Sequence, residues 1–94
     1  IEQIRQAVLD GASYVGVGPT FVSSTKTFDA LAGLQFVRAA VAETSLPAFV
    51  LGGVTAENVV QVVAAGGRRV AVSAAIAAAD DPRSSARALR AVLP

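Results

Sequence analysis

Three short apolar segments constrain the fold of this chain more than any other feature of its sequence. They span residues 14–17, 48–51 and 69–73, and valine recurs in all three. Short strands that are apolar on both sides are typical of a parallel sheet with both faces covered. Segments with apolar residues at helical spacing separate them, so the sequence predicts right-handed βαβ units and a parallel sheet.

The helices that separate these strands have recognisable ends. A helix before the first strand is expected to end near Asp10, and the next helix carries its apolar face at residues 31–41. Thr55 is the expected N-cap of the third helix, because its hydroxyl can accept a hydrogen bond from the first turn. After a short helical turn, Asp81 and the proline that follows it begin a closing helix that runs to Leu93. The predicted element order is αβαβαβα.

A three-stranded parallel sheet has two unpaired edges, which a chain with 53% hydrophobic residues is not expected to leave open. Two architectures would cover them: the rest of a (β/α)8 barrel, or a self-complementary partner. A complete barrel takes about 250 residues and this chain has 94, so residues 1–94 are predicted to form a single partial-barrel domain. The chain starts with Ile1 rather than methionine, within a predicted helix, and we expect it to be part of a longer one.

The absence of cysteine and histidine narrows the chemistry that this chain can perform. Without them there is no disulfide, no thiolate metal site and no histidine general base. The net charge of +1 and the lack of a basic block argue against nucleic-acid binding. Every apolar run is shorter than the roughly 20 residues of a membrane-spanning helix, so no membrane partner is expected and a cytoplasmic location is predicted.

Two of the three loops that follow the strands have features of a phosphate site. Gly52 and Gly53 end the second strand and would let a ligand approach the backbone. Ser73 and Ala74 end the third strand and open a short helix, whose amides can bind phosphate. A tight turn with close helix packing explains the glycine pair alone equally well, whereas the combination of the two loops favours the phosphate site.

The loop after the first strand supplies hydroxyls and a cation. Ser23, Ser24 and Thr25 precede Lys26, and together they suit a phosphate or a diphosphate. The Lys26 ammonium would stabilise a departing diphosphate, which makes it the catalytic candidate. From spacing alone, a solvated surface loop of ordinary composition explains the same residues equally well.

Other charged residues are better explained by structure than by chemistry. Asp29 is expected to cap a helix rather than to orient Lys26, and the Asp80-Asp81 pair to cap the closing helix rather than to bind a metal. Arg68 and Arg69 stand at the start of the third strand, at the end of the sheet opposite the three loops. A surface role is expected for these two arginines.

In this order and spacing, the segments "GASYVGVGPTFVSSTK", "LPAFVLGGVTAENV" and "VAVSAAIAAADDP" resemble the C-terminal half of the thiamine-phosphate synthase family, also called thiamine-phosphate pyrophosphorylase. The resemblance covers nearly all of the chain. It implies an α/β fold, namely the C-terminal portion of a (β/α)8 TIM barrel. It also implies a transferase of thiamine biosynthesis that joins hydroxymethylpyrimidine diphosphate to a thiazole phosphate and releases diphosphate, with Mg²⁺ as cofactor.

The resemblance assigns roles to the candidate residues. It implies that the hydroxyl-bearing residues 23–25 hydrogen-bond the thiazole phosphate and that Lys26 contacts the pyrimidine diphosphate. Gly53 and the amides of Ser73 and Ala74 would complete the cup for the thiazole phosphate. The ligands of Mg²⁺ and the residues that hold the pyrimidine belong to the family's N-terminal half, which is the expected partner of this chain.

The chain departs from the family pattern at several positions. Val22 stands where proline is common, Ser23 replaces a threonine but keeps the hydroxyl, and Gly67-Arg68-Arg69 replaces the frequent Ala-Asp-Gly. The related thiazole tautomerases carry a histidine at the position of Pro19, so their barrel is a less favoured alternative. A non-catalytic phosphate-binding half-barrel that forms a homodimer is the other alternative.

Overall fold

The fold alternates strands and helices as the sequence predicts. The structure, a computed structural model, describes residues 1–21 and 33–94. In chain order its elements are α1 (Glu2–Leu9), β1 (Val15–Val17), α2 (Gly33–Glu43), β2 (Ala48–Val50), α3 (Val59–Ala64), β3 (Arg69–Val70), α4 (Ala74–Ala77) and α5 (Pro82–Val92). The predicted strands and helices are therefore all present, although the three strands and α3 are shorter than expected.

The three strands form one parallel sheet in the order β1-β2-β3. Val17 of β1 pairs with Val50 of β2, and Val50 pairs in turn with Val70 of β3. Because the strands are parallel and in register, the loops that follow them all lie at one end of the sheet. We call this end the loop rim, and the opposite end, where the strands begin, the amino rim.

The helices cover one face of the sheet, toward which alternate strand residues point. Val15 and Val17 of β1 are buried on this face, as are Ala48 and Val50 of β2. They pack against the inward residues of the helices, which are Ile4, Val37, Ala40, Val59, Val62, Ala65 and Leu89. The strand residues between them point to the other face and are more exposed. Branched apolar side chains at alternating strand positions and at helical spacing thus build a core on one side of the sheet.

Two elements differ from the sequence-based expectation. The helix α3 begins at Val59 rather than directly after Thr55, because residues 56–58 form a separate turn. Thr55 starts that turn: its carbonyl accepts a hydrogen bond from the Val59 amide at 2.9 Å, and its hydroxyl accepts one from the Asn58 amide at 3.3 Å. The strand β3 ends at Val70, short of the predicted boundary, because only its first two residues pair with β2.

An ion pair joins α1 to α2 on the surface. The Arg5 Nε atom lies 2.5 Å from Glu43 Oε1, and Arg5 Nη1 lies 3.0 Å from Glu2 Oε1. The hydrogen bond from Arg5 lowers the pKa of Glu43, because it stabilises the ionised carboxylate. The Arg5–Glu43 pair links the two helices on the outside of the core, where an exposed ion pair adds little stability.

Asp81 caps α5 as predicted. Its carboxylate accepts hydrogen bonds from the Ser84 amide at 3.2 Å and from the Ser84 hydroxyl at 2.8 Å. Pro82 occupies the first helical position, where its missing N–H group is not needed. The side-chain and backbone hydrogen bonds from Ser84 lower the pKa of Asp81, because they favour the charged form.

This cap gives the stability a defined pH dependence. Since the pKa of Asp81 is lowered in the folded state, its stabilising effect is present above the unfolded pKa of about 4 and is lost as the pH falls below it. We expect Asp81→Ala to lower the melting temperature clearly at about pH 7 and less at about pH 2.5. Asp81→Asn can still cap but cannot ionise, so it should retain most of the stability at neutral pH.

Thermal unfolding of the three proteins, followed by circular dichroism at both pH values, measures these effects. An Asp81→Ala variant that loses as much stability in acid as at neutral pH would contradict the role of the ionised carboxylate.

Candidate functional site

The residues that follow the three strands lie side by side at the loop rim. Thr20, Gly53 and Ser73 each stand three residues beyond the last paired valine of their strand. In a parallel sheet, the residues that follow neighbouring strands lie at the same edge. Gly53 and Ser73, which the sequence predicts to bind phosphate, therefore lie at the same rim as the end of the first strand.

Backbone hydrogen bonds join the first loop to the second. The Thr20 amide donates to the Leu51 carbonyl at 3.1 Å, and the Phe21 amide donates to the Gly52 carbonyl at 2.9 Å. Gly52 has a φ of 97°, and a β-carbon at this position would lie 2.7 Å from Pro19 Cα. Only glycine fits both this backbone conformation and this contact. Gly52 is therefore required for the tight packing of the two loops, as the turn interpretation expects.

A side-chain amide holds the second loop in place at Gly53. The Asn58 Nδ2 group donates to the Gly53 carbonyl at 2.9 Å, and Asn58 Oδ1 accepts a hydrogen bond from the Thr55 amide at 2.8 Å. Gly53 has a φ of 67°, which lies in the left-handed region that favours glycine. Because Asn58 stands at the start of α3, these bonds fix the position of Gly53 relative to that helix.

The third loop presents backbone amides at the start of α4. Ser73 is the N-cap, and its carbonyl accepts hydrogen bonds from the Ile76 amide at 3.1 Å and the Ala77 amide at 2.8 Å. The Ser73 side chain makes no capping bond. Within the described part of the chain, the amides of Ser73 and Ala74 donate to no backbone carbonyl. Amides in this position can donate hydrogen bonds to an anion.

The structure brings together the candidates of the second and third loops. Gly53, Ser73 and Ala74 lie at the loop rim, as the parallel topology predicts. The predictions for the first loop concern residues outside those that the structure describes, namely Ser23, Ser24, Thr25, Lys26 and Asp29. That loop continues from Phe21, whose amide is bonded to the second loop at this rim. Phosphate binding stays a prediction for both groups of residues.

Two polar residues at this rim do not stand out in the sequence as site residues. Asn58 is one of them, although the spacing Thr-x-x-Asn resembles a capping box and could have indicated it. Thr20 is the other: it is only 4% exposed, and its hydroxyl has no hydrogen-bond partner among the residues that the structure describes. Its burial depends on the contact between two loops far apart in the chain, which no local pattern reveals.

Metal-binding side chains are not grouped in the described ranges. Among residues 1–21 and 33–94, no three Asp, Glu, His or Cys side chains come close enough together to hold a metal ion. The residues described here therefore do not form a site for the predicted Mg²⁺. No helix in these two ranges is both long enough and apolar enough to cross a membrane.

The parallel sheet with helices on one face and loops at one rim defines the class of protein: the chain is part of a (β/α)8 barrel. It superposes on thiamine phosphate pyrophosphorylase from Pyrococcus furiosus with a TM-score of 0.85 and 28% sequence identity. The superposition covers 97% of this chain and 43% of that protein. The predicted fold class is therefore confirmed.

Sequence comparison gives the family. The sequence model of thiamine monophosphate synthase matches residues 1–76. The chain is 44% identical over 89 residues to thiamine-phosphate synthase of Synechococcus sp. (strain WH7803), a match that covers 95% of this chain and 25% of that protein. It is 43% identical over 95 residues to thiamine-phosphate synthase of Chloroflexus aurantiacus, covering 99% of this chain and 44% of that protein. The chain belongs to the thiamine monophosphate synthase family and spans less than half the length of these relatives.

The contacts of Asn58 predict how the second loop responds to substitution. Asn58→Ala removes the bonds to both Gly53 and Thr55 and is expected to lower the free energy of unfolding by about 1–3 kcal/mol. Asn58→Asp keeps the acceptor for the Thr55 amide but places a carboxylate oxygen against the Gly53 carbonyl in place of the donor, so it should also destabilise the loop. Gln61→Ala, on the exposed side of α3, is the control and should change the stability by less than about 0.5 kcal/mol.

Urea denaturation of the three variants measures these differences. Equal stabilities for Asn58→Ala and Gln61→Ala would show that the amide does not hold the loop.

Removing the buried Thr20 hydroxyl is not expected to destabilise the fold, in contrast to removing the Asn58 amide. Thr20→Val keeps the shape of the side chain and removes a polar group that has no partner among the described residues. We expect the free energy of unfolding to stay the same or to rise by up to about 1 kcal/mol. Thr44→Val is the matched control, because the Thr44 hydroxyl accepts a hydrogen bond from the Leu46 amide at 3.1 Å.

The control should lose about 1 kcal/mol in the same denaturation experiment. A loss of that size in Thr20→Val would mean that the Thr20 hydroxyl has a partner that stabilises the fold.

Proposed function

We propose that the protein to which this chain belongs joins hydroxymethylpyrimidine diphosphate to thiazole phosphate with release of diphosphate, which is thiamine-phosphate synthase activity. The chain would supply the phosphate-binding side of the active site. The observation that carries this proposal is that Gly53 and Ser73 follow neighbouring parallel strands at one rim, in a member of the thiamine monophosphate synthase family. Ligands of (β/α)8 barrels bind at this end of the strands.

The thiazole phosphate would bind to backbone amides of the second and third loops. The amides of Ser73 and Ala74 stand at the start of α4, and Gly53 leaves no side chain between the backbone and a ligand. Several N–H groups that point at one anion bind it without a charged side chain. The hydroxyls of residues 23–25 would add donors from the first loop, since that loop starts at the same rim.

The chemistry would need no nucleophile or histidine base from this chain. The bond between the pyrimidine methylene carbon and the diphosphate oxygen breaks, and both electrons leave with the diphosphate. The lone pair of the thiazole nitrogen then forms the new carbon–nitrogen bond. Lys26, the only lysine of the chain, would stabilise the negative charge that develops on the departing diphosphate.

The rest of the site would come from the strands that complete the barrel. As the family resemblance implies, the metal ligands and the pyrimidine pocket would belong to those strands. Such a protein would act on small molecules in the cytoplasm, without a nucleic-acid or membrane partner.

The role of Lys26 is tested in the complete barrel protein. Lys26→Ala is expected to lower the turnover number by at least about tenfold, because one charge that stabilises the leaving group is lost. Arg38→Ala removes the same charge from the exposed surface of α2 and should leave turnover unchanged. Turnover is measured as diphosphate released from the two substrates at saturating concentrations.

Unchanged turnover in Lys26→Ala would contradict the catalytic assignment of Lys26. A complete barrel that binds thiazole phosphate but forms no product with either wild-type or variant sequence would identify a non-catalytic phosphate-binding protein instead.

A further inference from the structure

One row of residues crosses the sheet on the face that the helices leave uncovered. Gly16 pairs with Phe49, and Phe49 pairs with Arg69, so the three side-chain positions point to the same face. Their neighbours Val15 and Val50 are buried on the opposite face, against the helices. Arg69 is thus a charged residue at the first position of β3, on the face away from the helices.

That face is the interior of a closed (β/α)8 barrel, where layers of side chains from the eight strands fill the space. A guanidinium in a packed interior is strongly destabilising unless a carboxylate pairs with it and its hydrogen bonds are satisfied. In the described ranges, the ion pairs involve Arg5 with Glu2 and Glu43, and Arg69 has no acidic partner there. A carboxylate that pairs with Arg69 inside a closed barrel would therefore come from the strands that complete it.

A cleft with three arginines lies between the start of β3 and the end of α5. Its volume is about 330 Å³, and the residues that line it are Arg68, Arg69, Val70, Arg90, Leu93 and Pro94. Arg90 Nη1 donates to the Leu93 and Pro94 carbonyls at 3.4 Å and 3.3 Å. Neither Arg68 nor Arg69 has a side-chain hydrogen bond or an ion pair with another described residue. The guanidinium of Arg69 is therefore available to an acidic group that enters this cleft.

We propose that Arg69 forms an ion pair with an aspartate or glutamate at the beginning of the barrel strand that pairs with the unpaired edge of β3. This carboxylate extends the row of Gly16, Phe49 and Arg69 and closes the amino rim of the barrel. A guanidinium can bind a carboxylate through two parallel hydrogen bonds, which fixes the register of the added strand as well as its charge. The cleft lies at the amino rim, away from the loop rim where substrates would bind.

Zero-length cross-linking in the complete barrel protein tests the pairing. Arg69→Lys keeps the positive charge and introduces an amine. A water-soluble carbodiimide activates a carboxylate that contacts this amine. The amine then forms an amide bond with the activated carboxyl, and the carbodiimide leaves as the urea. Peptide mapping by mass spectrometry then identifies the partner. Arg87→Lys, on an exposed position of α5, is the control.

We expect a cross-link from position 69 to one acidic residue at the start of a strand beyond these 94 residues, and none from position 87 to that residue. Two results would overturn the proposal: no cross-link from position 69 in a folded Arg69→Lys protein, or a cross-link only to an acidic residue within this chain.

A charge exchange gives a second, independent readout. Arg69→Glu should lower the melting temperature of the complete protein by about 5 °C or more, because two carboxylates then face each other. In the Arg69→Glu protein, each acidic residue at the start of the adjoining strand is then replaced in turn by arginine. One of these double variants should recover at least about half of the lost melting temperature. If no exchange recovers stability, Arg69 does not pair with that strand. Since neither test measures product formation, both are independent of the proposed transferase activity.

Discussion

The parallel register of three short strands is the constraint on which the rest of the structure depends. Val17 pairs with Val50, and Val50 pairs with Val70, so the last residues of the three strands lie next to one another. It buries one set of alternate side chains against the helices and places all the following loops at one rim. A shift of one residue in any strand would turn its buried side chains away from the helices.

The two rims of the sheet carry different chemistry. At the loop rim, the second and third loops present backbone groups, and Asn58 and the close contact of Gly52 with Pro19 hold the second loop in place. At the amino rim, a cleft lined by three arginines lies beside the unpaired edge of β3. In a barrel, the first rim is where function resides and the second is where strand packing determines stability. Substitutions at one rim can therefore be tested separately from substitutions at the other.

Much of this arrangement could be predicted from the sequence, because it depends on patterns of residues close together in the chain. The alternation of apolar strands and amphipathic helices predicts the sheet, and the Asp-Pro pair predicts the start of α5 at Asp81. Parallel topology alone predicts that Gly53 and Ser73 share one rim. The contacts that hold the rim together could not be predicted in the same way. Gly52 meets Pro19, and Thr20 becomes buried, only after β1 and β2 have paired in register. The delayed start of α3 likewise depends on the bonds of Asn58 to Thr55 and Gly53, which compete with helix formation after Thr55.

A crystal structure of the complete barrel protein with thiazole phosphate bound tests the central claim most directly. The account predicts that phosphate oxygens lie within about 3.5 Å of the amide nitrogens of Gly53, Ser73 and Ala74, with the loop of Lys26 at the same rim. A phosphate bound on another surface, with none of these amides in contact with it, would contradict the account.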